Sequence, residues 1–102
     1  MLIDDGTEGL SEQVIGVAIE IHREFGPGLL PEPQDIIDIV VNDKVLVEVK
    51  AVAAILPIHI AQVRTYLTLS NIRVGLIMNF NVAVLRHGIR RVLHPDISRA
   101  GV

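Results

Sequence analysis

The sequence contains no cysteine, no tryptophan and only three aromatic residues, Phe25, Tyr66 and Phe80. The first absence excludes disulfides, thiolate catalysis and cysteine-based zinc sites, and it suits a reducing compartment. The second means that the core must come from Val, Ile, Leu and Ala, in a chain of which 50% is hydrophobic. Such a composition favours strands packed under helices. There is also no apolar run of the roughly 18 to 20 residues that a bilayer span needs, and the N-terminus carries Asp4, Asp5 and Glu8 where a secretory signal would be basic. A soluble, cytoplasmic protein without membrane attachment is expected.

Positive charge is in short supply too. The formal charge of −3 argues against tight nonspecific binding to nucleic acid, because phosphate neutralisation by Lys and Arg supplies most of that affinity. The acids, however, concentrate before residue 50, whereas Arg64, Arg73, Arg86, Arg90, Arg91 and Arg99 follow it, so a basic face is compatible with the net sign. With 102 residues and neither repeats nor low-complexity stretches, residues 1–102 are expected to form a single domain with a small core.

The chain changes period several times. Residues 11–25 set Val14, Ala18, Ile21 and Phe25 at helical spacing, predicting an amphipathic helix capped by Ser11, ended by Gly26-Pro27 and buried through Val14, Ala18 and Ile21. Residues 26–35, GPGLLPEPQD, hold three of the five prolines and read as an extended connector. The β-branched runs 36–41 and 45–51 flank Asn42-Asp43-Lys44 and predict a hairpin. A second helix is predicted from Pro57 to Ser70 on the stripe Ile60, Val63 and Leu67, then a buried strand over 72–79, with 82–93 either a last strand or a short helix. The order α-β-β-α-β describes a mixed α/β domain.

Asp38, Glu48 and Lys50 interrupt the apolar hairpin, and charges there are costly unless paired or used. Glu48 and Lys50, two apart on a strand, leave the same face. A two-residue loop at 42–43 would set position 38 opposite 47 and turn Asp38 away, whereas a three-residue loop at 42–44 would set 38 opposite 48 and bring the three charges together. Two carboxylates beside a lysine suit metal-assisted phosphodiester hydrolysis: the acids hold a hard divalent cation, and the amine acts on the attacking water. A plain cross-strand ion pair is the competing reading. Gln62 and Tyr66, at i and i+4 on the following helix, share one face. The four histidines show no metal-binding spacing such as H-E-x-x-H, and Gly26 and Gly28 do not form a phosphate loop.

The acid, spacer and E-x-K of Asp38, Glu48 and Lys50, followed by Gln62-x-x-x-Tyr66, resemble the PD-(D/E)xK nuclease superfamily. The strings IEIHREFGPGLL at 19–30, VEVKAVAAILPIHIAQVRTYL at 47–67 and GLIMNFNVAVLRHGIRRV at 75–92 are similar to the bacterial GxxExxY proteins assigned to it. The resemblance implies a shortened restriction-endonuclease-like core, with a small mixed sheet flanked by helices. It also implies Mg or Mn as cofactor, Asp38 and Glu48 as metal ligands, Lys50 as the catalytic amine, and Gln62 and Tyr66 orienting the lysine or touching the phosphate backbone of a nucleic acid, DNA above all. The chain departs from the family at its name-giving motif, with Pro31 and Gln34 where Glu and Tyr belong. Glu32, between two prolines, reads as solvated rather than as a substitute glutamate. The connector also runs into Ile36 without the helix and strand that the family inserts there. Two functions follow: a metal-dependent nuclease, or a trimmed, catalytically inactive nuclease fold that serves as a binding or self-association module. The shortening would bare the apolar hairpin, so a homodimer or larger homo-oligomer is expected.

Overall fold

The computed structural model describes residues 6–27 and 34–96, and of residues 34–38 the backbone alone. The first helix, α1 (Thr7–Phe25), begins four residues before the predicted cap. Gly6, at φ 91°, precedes its first turn and accepts the Leu10 N–H at 3.0 Å. Ser11 therefore caps nothing: it is buried inside the helix, its hydroxyl donating to the Glu8 carbonyl at 2.9 Å. The helix does end at Gly26, whose φ of 73° suits a residue without Cβ and whose N–H donates to the His22 carbonyl at 2.7 Å.

The buried side of α1 is not the predicted stripe. Thr7, Ser11, Ala18 and His22 are buried, while Val14 is half-buried and Ile21 and Phe25 are exposed. Ala18 alone of the expected core trio is fully enclosed. The small residues let the helix lie close to the sheet, and the His22 ring is satisfied there by the Phe80 carbonyl, 3.2 Å from Nε2.

Strands β1 (Gln34–Val41) and β2 (Val45–Ala51) form an antiparallel hairpin with Val41 opposite Val45, so the loop is the three residues 42–44. Asn42 and Asp43 both adopt positive φ, 51° and 57°, which these residue types tolerate, and the Lys44 N–H closes the turn on the Val41 carbonyl at 3.0 Å. A bulge between Asp35 and Ile37 shifts the register near the start of β1.

Helix α2 (Pro57–Ser70) spans the predicted residues. Pro57 opens it, the Leu56 N–H is held by His59 Nδ1 at 2.9 Å, and Asn71 ends it at φ 57°. The helix carries the chain over to β3 (Val74–Asn79), which pairs parallel with β2. The last segment divides: Leu85–Gly88 is a 3-10 turn, and β4 (Ile89–Leu93) returns antiparallel to β3. The result is a mixed four-stranded sheet in the order β1-β2-β3-β4.

Alternation along the strands divides the core into two layers. Val45, Val47, Leu76, Met78 and Phe80 pack with Ala18 on the α1 side, while Leu46, Ile77 and Val92 pack with Val63 and Leu67 on the α2 side. Each fully buried Leu or Ile contributes about 1.5–3 kcal/mol. Gly75 permits the close approach of α2, since a Cβ there would lie 2.7 Å from Val63 Cγ1. Arg90 and Arg91 are consecutive on β4 and so point to opposite sides, and Arg91 is paired with Glu8 of α1. No helix among the described residues is long and apolar enough to cross a membrane.

Candidate active site

The three-residue loop decides the register of the charges. Val41 opposite Val45 counts down the ladder to position 38 opposite Glu48, so the two positions share the α2 face of the sheet. The bulge brings position 35 onto the same face, opposite Lys50. Sequence reading missed this second aspartate, because without the bulge an odd spacing from 38 turns it away. The side chains of Asp35 and Asp38 lie outside what the structure describes, and both are located by backbone register.

Lys50 has only 1% of its side chain exposed, and its Nζ stands 3.5 Å from Glu48 Oε2, whose own side chain is 17% exposed. A buried ammonium is tolerable only beside a compensating charge, and Glu48 supplies one. The pair sits on β2, an interior strand hydrogen-bonded on both sides, so its backbone is fixed.

The end of β2 is held by residues that sequence reading passed over. Asn79, opposite Lys50 on β3, is buried, and its amide staples the two strand exits together. Its Oδ1 accepts the N–H groups of Val52 and Asn81, each at 3.1 Å, and its Nδ2 donates to the Val52 carbonyl at 2.9 Å. The Phe80 N–H donates to the Lys50 carbonyl at 2.8 Å, and the Phe80 carbonyl in turn faces His22 Nε2. One chain of bonds thus runs from the lysine's own backbone to α1. The signal was present in the sequence as Asn-Phe-Asn at the exit of an otherwise apolar strand.

Gln62 and Tyr66 are not gathered in. Both are exposed on α2, Tyr66 by 45%, while the neighbouring Val63 and Leu67 face the sheet. Neither side chain forms a hydrogen bond among the described residues. Nor do the histidines build a metal site: His22 and His94 are buried, with ring nitrogens at the Phe80 carbonyl and the Asp96 N–H, and His59 holds the α2 cap.

A model of the PD-(D/E)XK nuclease superfamily matches residues 31–92, more than half of the chain. The chain belongs to the PD-(D/E)XK nuclease superfamily. The match stands at superfamily level and does not establish the narrower GxxExxY resemblance. No curated protein and no solved structure matches the chain. Of the positions that set it apart from the GxxExxY motif, Pro31 lies outside the described residues, as does Glu32, while Gln34 opens β1.

Nucleases of the PD-(D/E)XK superfamily typically use divalent metal ions. The donors here fit such an ion. Carboxylate oxygens at paired positions 38 and 48 are hard ligands suited to Mg²⁺ or Mn²⁺, which commonly take one or two protein carboxylates and fill their remaining positions with water and phosphate oxygen.

Proposed function

We propose that the protein is a metal-dependent nuclease that hydrolyses phosphodiester bonds in DNA. The observation carrying this reading is the register that sets Asp38 opposite Glu48 with the Lys50 amine 3.5 Å from the Glu48 carboxylate. Asp38 and Glu48 would hold Mg²⁺ or Mn²⁺. That ion, when bound, supplies polarisation of the scissile phosphate and acidification of a bound water. Lys50, buried beside Glu48, would place its positive charge next to the carboxylate that holds the ion and the attacking water. Glu48 keeps the amine aimed and its charge compensated, and its own partial exposure leaves the pair a route to solvent. Asn79 fixes where β2 stops pairing and so holds the backbone just beyond Lys50 in place. Gln62 and Tyr66, facing solvent on α2, contact the nucleic-acid backbone rather than the lysine.

The test is cleavage of supercoiled, linear and single-stranded DNA with Mg²⁺ or Mn²⁺, beside Glu48→Gln and Lys50→Met variants, with RNA as the contrasting substrate. Metal-dependent cleavage lost in both variants supports the reading. An intact protein that cleaves no DNA with either metal refutes it.

A further inference from the structure

The acid at position 35 has no part in the reaction outlined above. Along β1 the ladder runs regularly from Val41 opposite Val45 to Ile37 opposite Val49 and resumes at Asp35 opposite Lys50, so Ile36 is the extra residue of the bulge. Without it the count would set position 35 opposite Ala51, on the α1 face with the apolar layer of Val45, Val47 and Met78. The bulge sets it on the α2 face instead, and re-aiming one residue beside a functional site is a recurrent use of such irregularities. Positions 38, 48, 50 and 35 then form the four corners of one patch. Opposed positions on antiparallel strands have Cβ atoms about 4.5–5.5 Å apart, within the reach of an oppositely charged pair.

Lys50 sets the demand for a further carboxylate. Its side chain is 1% exposed, so water does little to offset its charge, and its β3 neighbour Asn79 is a neutral amide engaged with Val52 and Asn81. Glu48 compensates it from 3.5 Å, yet the same carboxylate is the proposed ligand of a divalent cation. An ammonium and a dication sharing one carboxylate repel each other across it, and in a poorly hydrated place that repulsion is screened weakly.

We propose that Asp35 is the positioning residue for Lys50: its carboxylate compensates the ammonium from the β1 side and leaves Glu48 to the cation. The division of labour rests on the nuclease reading, whereas the pairing itself rests on the register alone. Charge counting agrees with it. Asp35, Asp38 and Glu48 carry three negative charges, which one ammonium and one divalent cation balance, so the loaded site is neutral and Lys50 stays compensated when the cation occupies Glu48.

Urea unfolding of the metal-free protein tests the pairing without any need for cleavage. A double-mutant cycle between Asp35→Asn and Lys50→Met should show a coupling of about tenfold in the unfolding equilibrium constant. Closing the same cycle in a Glu48→Gln background, where Lys50→Met strands no charge on Glu48, keeps the test readable if Lys50→Met alone fails to fold. In Mn²⁺ titrations followed by electron paramagnetic resonance, Asp35→Asn should weaken binding about tenfold, as residues behind the ligands do, whereas Asp38→Asn should abolish it. In DNA cleavage, Asp35→Asn should lower kcat about 10- to 100-fold with KM changed less than about threefold, and Asp35→Glu should restore part of the loss. Coupling below about twofold in both backgrounds, or Mn²⁺ binding lost as completely in Asp35→Asn as in Asp38→Asn, overturns the assignment. Coupling in a protein that binds no Mn²⁺ and cleaves no DNA supports the pairing and refutes the nuclease reading alone.

Discussion

Replacing Lys50 by methionine removes a charge with little change in volume and therefore isolates the electrostatic role of the buried amine. With 1% of Lys50 and 17% of Glu48 exposed, and 3.5 Å between their charged atoms, the pair is close to the buried limit, where removing one partner costs about 3–5 kcal/mol. The residual access of water to Glu48 lowers the expectation to about 2–3 kcal/mol, a fall in Tm of roughly 10–15 °C for a domain of this size. Glu48→Gln in the same background removes the stranded charge and should recover most of the loss, giving a coupling energy above about 1 kcal/mol in a double-mutant cycle measured by urea unfolding. Nuclease activity should be lost in Lys50→Met and should stay lost in the stable double variant, which separates chemistry from folding. A coupling energy within about 0.5 kcal/mol of zero would refute the buried-pair argument.

Three further outcomes are expected. Gly75→Ala drives a Cβ to 2.7 Å from Val63 Cγ1 and should cost about 1–3 kcal/mol in urea unfolding; a neutral result would mean that α2 does not pack over this row of the sheet. Asn79→Ala strips three hydrogen bonds from Val52 and Asn81 and should cost about 2–3 kcal/mol while accelerating hydrogen exchange at the Val52 amide, and unchanged exchange would remove Asn79 from its role at the strand exits. Asp43→Gly, at φ 57° in the hairpin loop, should raise stability by a few tenths to about 1 kcal/mol; a loss would contradict the turn geometry.

The parts of the fold legible in the sequence are those set by local chemistry. Pro57 and the stripe ending at Leu67 delimit α2, and Asn42-Asp43-Lys44 limits the hairpin to two registers, between which the structure selects the one that joins 38 to 48. Where the outcome depends on what a surface meets, periodicity is silent. Helix α1 offers two stripes that share Ala18, and Val14 and Ile21 of the expected one gave way to Thr7, Ser11 and His22 because small residues allow close approach and His22 finds the Phe80 carbonyl. For Gln62 and Tyr66 the spacing puts them on one helix face without saying that this face looks to solvent. The bulge at Asp35/Ile37 has no marker in composition, and the role of Asn79 depends on Val52, which is 27 residues distant.

The parallel pairing of β2 with β3 also bears on the order of assembly. Position 38 meets Glu48 by closing a three-residue loop, whereas Lys50 meets Asn79 only after the whole α2 crossover is in place. Short loops close on the microsecond scale and non-local strand pairing follows more slowly. The hairpin therefore forms with its acids and its amine still hydrated, and the cost of drying Lys50 falls on the later step in which β3 docks. A chain carrying Glu48→Gln and Lys50→Met is relieved of that cost and should refold faster than the native sequence in stopped-flow experiments, so the candidate nuclease site would impose its burden on the rate of folding as well as on final stability.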